Sequence, residues 1–228
     1  MPNQTKKDFC CLIISGFGAG NQAGIILRDH LRDSGIDAFL TTPSGKETPR
    51  IDQEHWMHGI RMEYLTLRRE YQRVALIGLS LGGLLLIHLL DLKPAAIAFV
   101  NAPCARMRGR VWNRIFQADL QAKMNGVVRT RLGKRQLNRL VERTRQRGVQ
   151  DASCPALILQ SLDDRVCSPS NADDLFDQLH MPDKTIRFYP EGGHDVLTSR
   201  TVLAACSDIF QFCSRVRGNK EAKLENEK

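Results

Sequence analysis

The chain has 228 residues, 42% of them hydrophobic and 25% charged, with a formal net charge of +8. That length and balance suit one globular α/β domain. No stretch approaches the roughly 20 apolar residues of a membrane helix. The apolar run 9–14 is too short for a secretory signal and lacks a following small-residue cleavage site, so a soluble cytoplasmic protein is the expectation.

Short apolar or β-branched runs occupy 9–14, 36–40, 73–78, 95–101, 155–160 and 185–189, the length and pattern of strands buried on both faces. Between them, 22–32, 55–71, 81–91, 172–180 and 199–216 place apolar residues three and four apart, as core-facing helices do. This alternation predicts a doubly wound, mostly parallel sheet with right-handed crossovers. Only 105–150 breaks the rhythm, because it is far longer than an ordinary strand connection. Between Arg106 and Arg147 it carries thirteen Lys or Arg against two acids, Asp119 and Glu142, so the positive charge belongs to this insertion. Within it, Leu137, Leu140 and Val141 share one helical face while Arg135, Arg139, Arg143 and Arg147 mark another. Residues 1–104 and 151–217 read as the core, 105–150 as a basic helical insertion, and the charged 218–228 as a frayed tail.

Seven cysteines (10, 11, 104, 154, 167, 206 and 213) form no C-x-x-C pair and sit in apolar segments. They read as reduced, mostly buried thiols rather than a disulfide framework or a zinc site. Cys104 and Cys167 fall near the loops that carry the chemistry.

The strand 73–78 runs into Gly78-Leu79-Ser80-Leu81-Gly82-Gly83, and an apolar helix follows. This is the G-x-S-x-G elbow in its required strand-to-helix context. The glycines permit a sharp bend that exposes Ser80, and the Leu81 amide at the helix start can face a developing oxyanion. A serine hydroxyl needs a base, and the base needs an orienting acid. His194 follows strand 185–189 in a loop opened by Gly192-Gly193, whereas His30, His55, His58, His88 and His180 lie in helical patterns. The acid should leave the preceding strand, which ends in Ser161-Leu162-Asp163-Asp164, and either aspartate fits the chain order serine, aspartate, histidine.

These segments resemble the α/β-hydrolase superfamily, in particular small bacterial carboxylesterases and monoacylglycerol-lipase-like enzymes, over residues 9–216. In such esterases the acid stands in a D-x-[VM] context, so the resemblance selects Asp164 of Asp164-Arg165-Val166. It also implies an α/β-hydrolase fold with a cap at 105–150, a small-molecule ester substrate, hydrolysis through an acyl-enzyme and no cofactor. A backbone oxyanion donor at Phe17 of Ser15-Gly16-Phe17 is implied as well, although the family's histidine before the glycine is replaced by Ser15. Acyl thioesterase and small-substrate peptidase activities use the same machinery. The basic cap points to substrates with an anionic portion, with Arg106, Arg108 and Arg110 as the arginines nearest the site and Arg139, Arg143 and Arg147 facing solvent.

Two rivals come from other classes. Gly18-Ala19-Gly20-Asn21-Gln22-Ala23 imitates a dinucleotide fingerprint, but the second strand ends Phe39-Leu40-Thr41-Thr42 without the acid that would hold a ribose. The other is a hydrolase scaffold working by polyanion binding through its basic segment. That segment has only Trp112 and Phe116 as aromatics and no nucleic-acid motif, so no specific nucleic-acid partner is expected.

Overall fold

The computed structural model describes residues 5–16, 21–42, 53–103, 134–149 and 152–225. The strands are β1 (Lys7–Ile14), β2 (Asp37–Thr41), β3 (Tyr71–Leu79), β4 (Ile97–Val100), β5 (Ala156–Ser161) and β6 (Lys184–Tyr189). They pair in the order β2-β1-β3-β4-β5-β6, every neighbour parallel. Each coincides with one of the six apolar runs. The helices are α1 (Gln22–Asp33), α2 (Gln53–Glu70), α3 (Leu81–Ile87), α4 (Lys134–Arg147), α5 (Ser170–Gln178) and α6 (Val202–Glu225).

Successive side chains of a strand point to opposite faces, and here both faces are covered. Cys10, Leu12 and Ile14 pack in one cluster with Trp56, Ile60 and Tyr64 of α2, Leu84 of α3 and Leu140 of α4. Phe9, Cys11 and Ile13 pack in the other with Leu27 and Leu31 of α1 and Ile209 and Cys213 of α6. β2 lies on one side of β1 and β3 to β6 on the other, so the chain reverses its direction of travel across the sheet between β1 and β3. Connections leaving the carboxyl ends of those two strands diverge there and open a crevice, the place where ligands bind in open α/β sheets.

The insertion divides. Residues 104–133, with Cys104, Arg106, Arg108 and Arg110, lie outside the described residues. The segment from Lys134 packs on the body as α4, with Leu140 and Thr144 fully buried. Arg143 and Arg147 reach to Glu54 and Asp91 at 3.0 and 3.1 Å, while Arg139 is exposed. α6 runs on to Glu225, into the segment from Gly218 that the sequence reads as a frayed tail. Lys220, Glu221, Ala222, Lys223, Leu224 and Glu225 are all good helix formers, and the preceding Gly218-Asn219 does not break the ladder. Among the described cysteines none is disulfide-bonded, and five of the six are buried. Among the described residues no helix is long and apolar enough to cross a membrane.

α4 is tied to α3 through a histidine. Thr144 Oγ1 donates to the Leu140 carbonyl at 2.7 Å, so it accepts from His88 Nε2–H at 2.8 Å. Burial, with Arg147 and Arg143 nearby, pushes the His88 pKa down to about 4. A histidine depressed in the folded state stabilises the fold fully above its unfolded value of about 6.5 and loses that contribution as pH falls through about 4. Thermal unfolding measured from pH 7 to pH 4 should therefore show a smaller acid loss of Tm in His88→Gln than in the wild type. Parallel curves would remove His88 from this role.

Candidate active site

The first component is set by the turn between β3 and α3. Ser80 adopts φ 49°, ψ −119°, a conformation L side chains rarely take, and it is held there from both sides. Its N–H donates to the Val100 carbonyl at 2.9 Å, and its carbonyl accepts from Gly83 N–H at 2.9 Å. The turn tolerates no side chain at two of its glycines. A Cβ on Gly78 would stand 2.6 Å from the Gly83 backbone, and one on Gly82 would overlap the Ile14 carbonyl oxygen. Close contact between β1, β3 and α3 thus dictates the G-x-S-x-G spacing, and it projects the Ser80 hydroxyl into the crevice.

The second component is His194, five residues beyond β6. Gly192 and Gly193, at φ 137° and 59°, let the chain double back over the sheet. The loop is pinned at two points. Asp163 Oδ1 accepts from Gly193 N–H at 2.8 Å. The Asn101 amide donates to the carbonyls of Gly193 and His194 at 3.1 and 2.8 Å, while its Oδ1 accepts from Ser161 N–H at 2.9 Å. Asn101 itself is buried, with φ 44° just past β4, so one side chain fastens the histidine loop to the end of β5.

The third component is Asp164, whose side chain is wholly buried. Its Oδ1 accepts from Val166 N–H at 2.7 Å and Cys167 N–H at 2.9 Å, and its Oδ2 accepts from Gln160 Nε2 at 3.4 Å. Oδ2 also stands 2.9 Å from His194 Nδ1, and His194 Nε2 stands 2.8 Å from Ser80 Oγ. An ionised carboxylate only accepts, so Nδ1 carries the hydrogen and Nε2 is left as the acceptor for the serine hydroxyl. The arrangement can take a proton from Ser80 and hold the resulting imidazolium.

Of the expected residues, Ser80, Asp164 and His194 are brought together in this chain of hydrogen bonds. Asp163 has a different place, as an anchor of the histidine loop. The Leu81 amide opens α3 beside Ser80, and Phe17 lies outside the described residues. Cys167 is buried beneath Asp164, and burial together with that carboxylate pushes its thiol pKa well up. Asp164, Cys167 and His194 have donor atoms within 4.8 Å of one another. Both histidine nitrogens are engaged in hydrogen bonds, Nδ1 with Asp164 and Nε2 with Ser80. Asn101 and Gln160 escaped the sequence reading. An asparagine at the exit of a strand, a residue type that tolerates positive φ, was the available signal for the first.

A cavity of about 220 Å³ opens over Ser80 and His194, bounded by the ends of β1, β3 and β4, the start of α1 and the 3₁₀ turn Val196–Thr198. The family described as "Serine aminopeptidase, S33" matches residues 121–201, about a third of the chain, which contain Asp164 and His194 but not Ser80. A carboxylesterase of Bacillus subtilis (strain 168) is 21% identical, spanning 92% of this chain and 94% of its own length. Among solved structures, a metagenome-derived lipolytic enzyme of the LipS and LipT pair superimposes with a TM-score of 0.75 at 19% identity, over 92% of this chain and 95% of that one. The monoacylglycerol lipase of Paleococcus ferrophilus gives 0.70 at 16%, over 92% and 96%. The fold is that of the α/β-hydrolases. Within it the chain resembles esterases and monoacylglycerol lipases.

The anchoring of the histidine loop can be tested on Ser80 directly. Asn101→Asp keeps the size and the acceptor facing Ser161 N–H but loses both donors to the loop carbonyls. At roughly 1 kcal/mol for each lost bond, a displaced histidine should slow labelling of Ser80 by a fluorophosphonate about tenfold or more. Labelling at the wild-type rate would mean the loop holds its place without Asn101.

Proposed function

We propose that this protein is a serine hydrolase that cleaves carboxylic esters through an acyl-enzyme. The observation that carries this reading is the continuous hydrogen-bonded chain Ser80–His194–Asp164, at 2.8 and 2.9 Å, standing on an α/β-hydrolase fold. Ser80 Oγ attacks the ester carbonyl carbon while its proton passes to His194 Nε2. The negative charge moves to the carbonyl oxygen, where the Leu81 amide at the start of α3, together with the donor implied at Phe17, stabilises it. Collapse of that intermediate breaks the bond to the alcohol oxygen, which leaves with the proton held by His194. A water then attacks the acyl group in the same way, giving its proton to Nε2, and the acid leaves as Ser80 recovers its hydrogen. Asp164 holds the tautomer throughout and stabilises the imidazolium in a buried site.

The esterase and lipase relatives cover nearly the whole chain, whereas the peptidase-named match omits the nucleophile, and this favours esters over peptides. β4 ends at the cavity, where Val100 forms part of its wall, so the described chain reaches the edge of the site just before the insertion begins. That departure point supports reading the basic insertion as a cap over the substrate.

Ser80→Ala should abolish both hydrolysis of p-nitrophenyl butyrate and labelling by a fluorophosphonate. Asp164→Asn should lower kcat by several orders of magnitude, as removal of the orienting acid does in serine proteases, by about 10⁴-fold. Asp163→Asn should cost far less. Labelling that survived in Ser80→Ala, or a reversed ranking of the two aspartates, would overturn these roles.

A further inference from the structure

Asp164 is carried on the loop 162–169 between β5 and α5. Beneath that loop lies Gln160, the next-to-last residue of β5, only 1% exposed. Its Nε2 donates to the Ser161 carbonyl at 3.0 Å and to the Cys167 carbonyl at 3.2 Å, and it stands 3.4 Å from Asp164 Oδ2. Two carbonyls and an ionised carboxylate are all acceptors, so it is the amide nitrogen and not its oxygen that faces them. The two shorter bonds tie the start of the loop to its far side. The positive end of the amide is left turned toward the acid.

That placement matters because the Asp164 side chain is wholly buried, where each donor to a charge counts for more than it does in water. Oδ1 takes the Val166 and Cys167 amides, both on the loop that Gln160 closes. Oδ2 faces Gln160 Nε2 and His194 Nδ1 together. A donor to a carboxylate disperses its charge, so two donors on one oxygen compete for it. Without the glutamine amide, Oδ2 would draw harder on the Nδ1–H of His194 and hold the imidazolium more tightly.

We propose that Gln160 is a positioning residue for the base: its amide closes the acid loop and shares Asp164 Oδ2 with His194, and so sets how readily the imidazole gives up its proton. The inference rests on the hydrolase reading and deepens it by naming what regulates the base. The other charged or titratable groups on the two loops are Asp163, Arg165 and Cys167 beside Asp164, and Glu191 and Asp195 beside His194. Cys167 is buried with its thiol pKa pushed well up, and the other four are exposed. A change at residue 160 leaves all five in place, so a difference between variant and wild type reports the amide.

The test replaces Gln160 by Met, which keeps the length of the side chain and removes its donors, and follows kcat/KM for p-nitrophenyl butyrate from pH 5 to pH 9. In Gln160→Met the imidazole should keep its proton to higher pH, so the acid limb of the profile should move up by about half a pH unit. A clamp that only shaped the loop would lower the rate at every pH and leave the limb where it is. An acid limb superimposed on that of the wild type therefore overturns the proposal, whatever the loss of rate. A second arm uses the wild type alone and needs neither turnover nor a folded variant. The side-chain amide signals of Gln160 in a ¹H–¹⁵N spectrum should move as His194 titrates, and signals constant through that titration overturn the proposal if Gln160→Met does not fold. Absence of wild-type turnover would bring down the hydrolase reading instead, and the amide signals would then decide the place of Gln160 in the same way.

Discussion

A parallel sheet cannot leave either face to water, because its crossovers place a helix over each side of every strand. In this chain the requirement is met with little slack where β1, β3 and α3 converge. The Gly82 backbone presses on the Ile14 carbonyl, and Gly78 presses on Gly83. Once that contact is fixed, the turn at Ser80 has a single path, the switch in strand order opens beside it, and the serine stands at the floor of the crevice that this switch creates. The loops after β5 and β6 then need only the right lengths to bring an acid and a base to the same point.

Those loops are held by polar contacts rather than by packing. Asn101 fastens the carbonyls around His194 to the end of β5, Asp163 fastens the Gly193 amide, and Asp164 takes donors on both of its oxygens. The site is therefore a network spanning three strand ends. Its precision depends on side chains that do no chemistry themselves, and the geometry of the base relative to the nucleophile passes through β4 as much as through β6.

The strands were legible because burial on both faces imposes continuous apolar runs, and the elbow was legible because its glycines answer a steric demand that few other turns make. The choice between Asp163 and Asp164 was not legible from spacing. Both sit past the end of β5, and only the resemblance to esterases favoured the second. In space the two separate cleanly, one toward the loop backbone and the other toward the imidazole. Asn101 was missed because its bonds join residues 60 and more positions away, which no local pattern records. The fate of the basic insertion was half legible. The apolar stripe of α4 gave its helix, but its docking on α3 through Thr144 and His88 depends on tertiary placement.

Ser80 occupies a conformation that glycine would accept with no steric penalty, whereas a residue with a Cβ held there costs about 1–3 kcal/mol. The fold would thus gain stability by giving up the proposed nucleophile. A serine stands at a position where a single change to glycine would relax the backbone, and the stability of the fold does not account for that. On the proposed reading, the hydroxyl at residue 80 is held at the expense of the firmness of the domain that carries it.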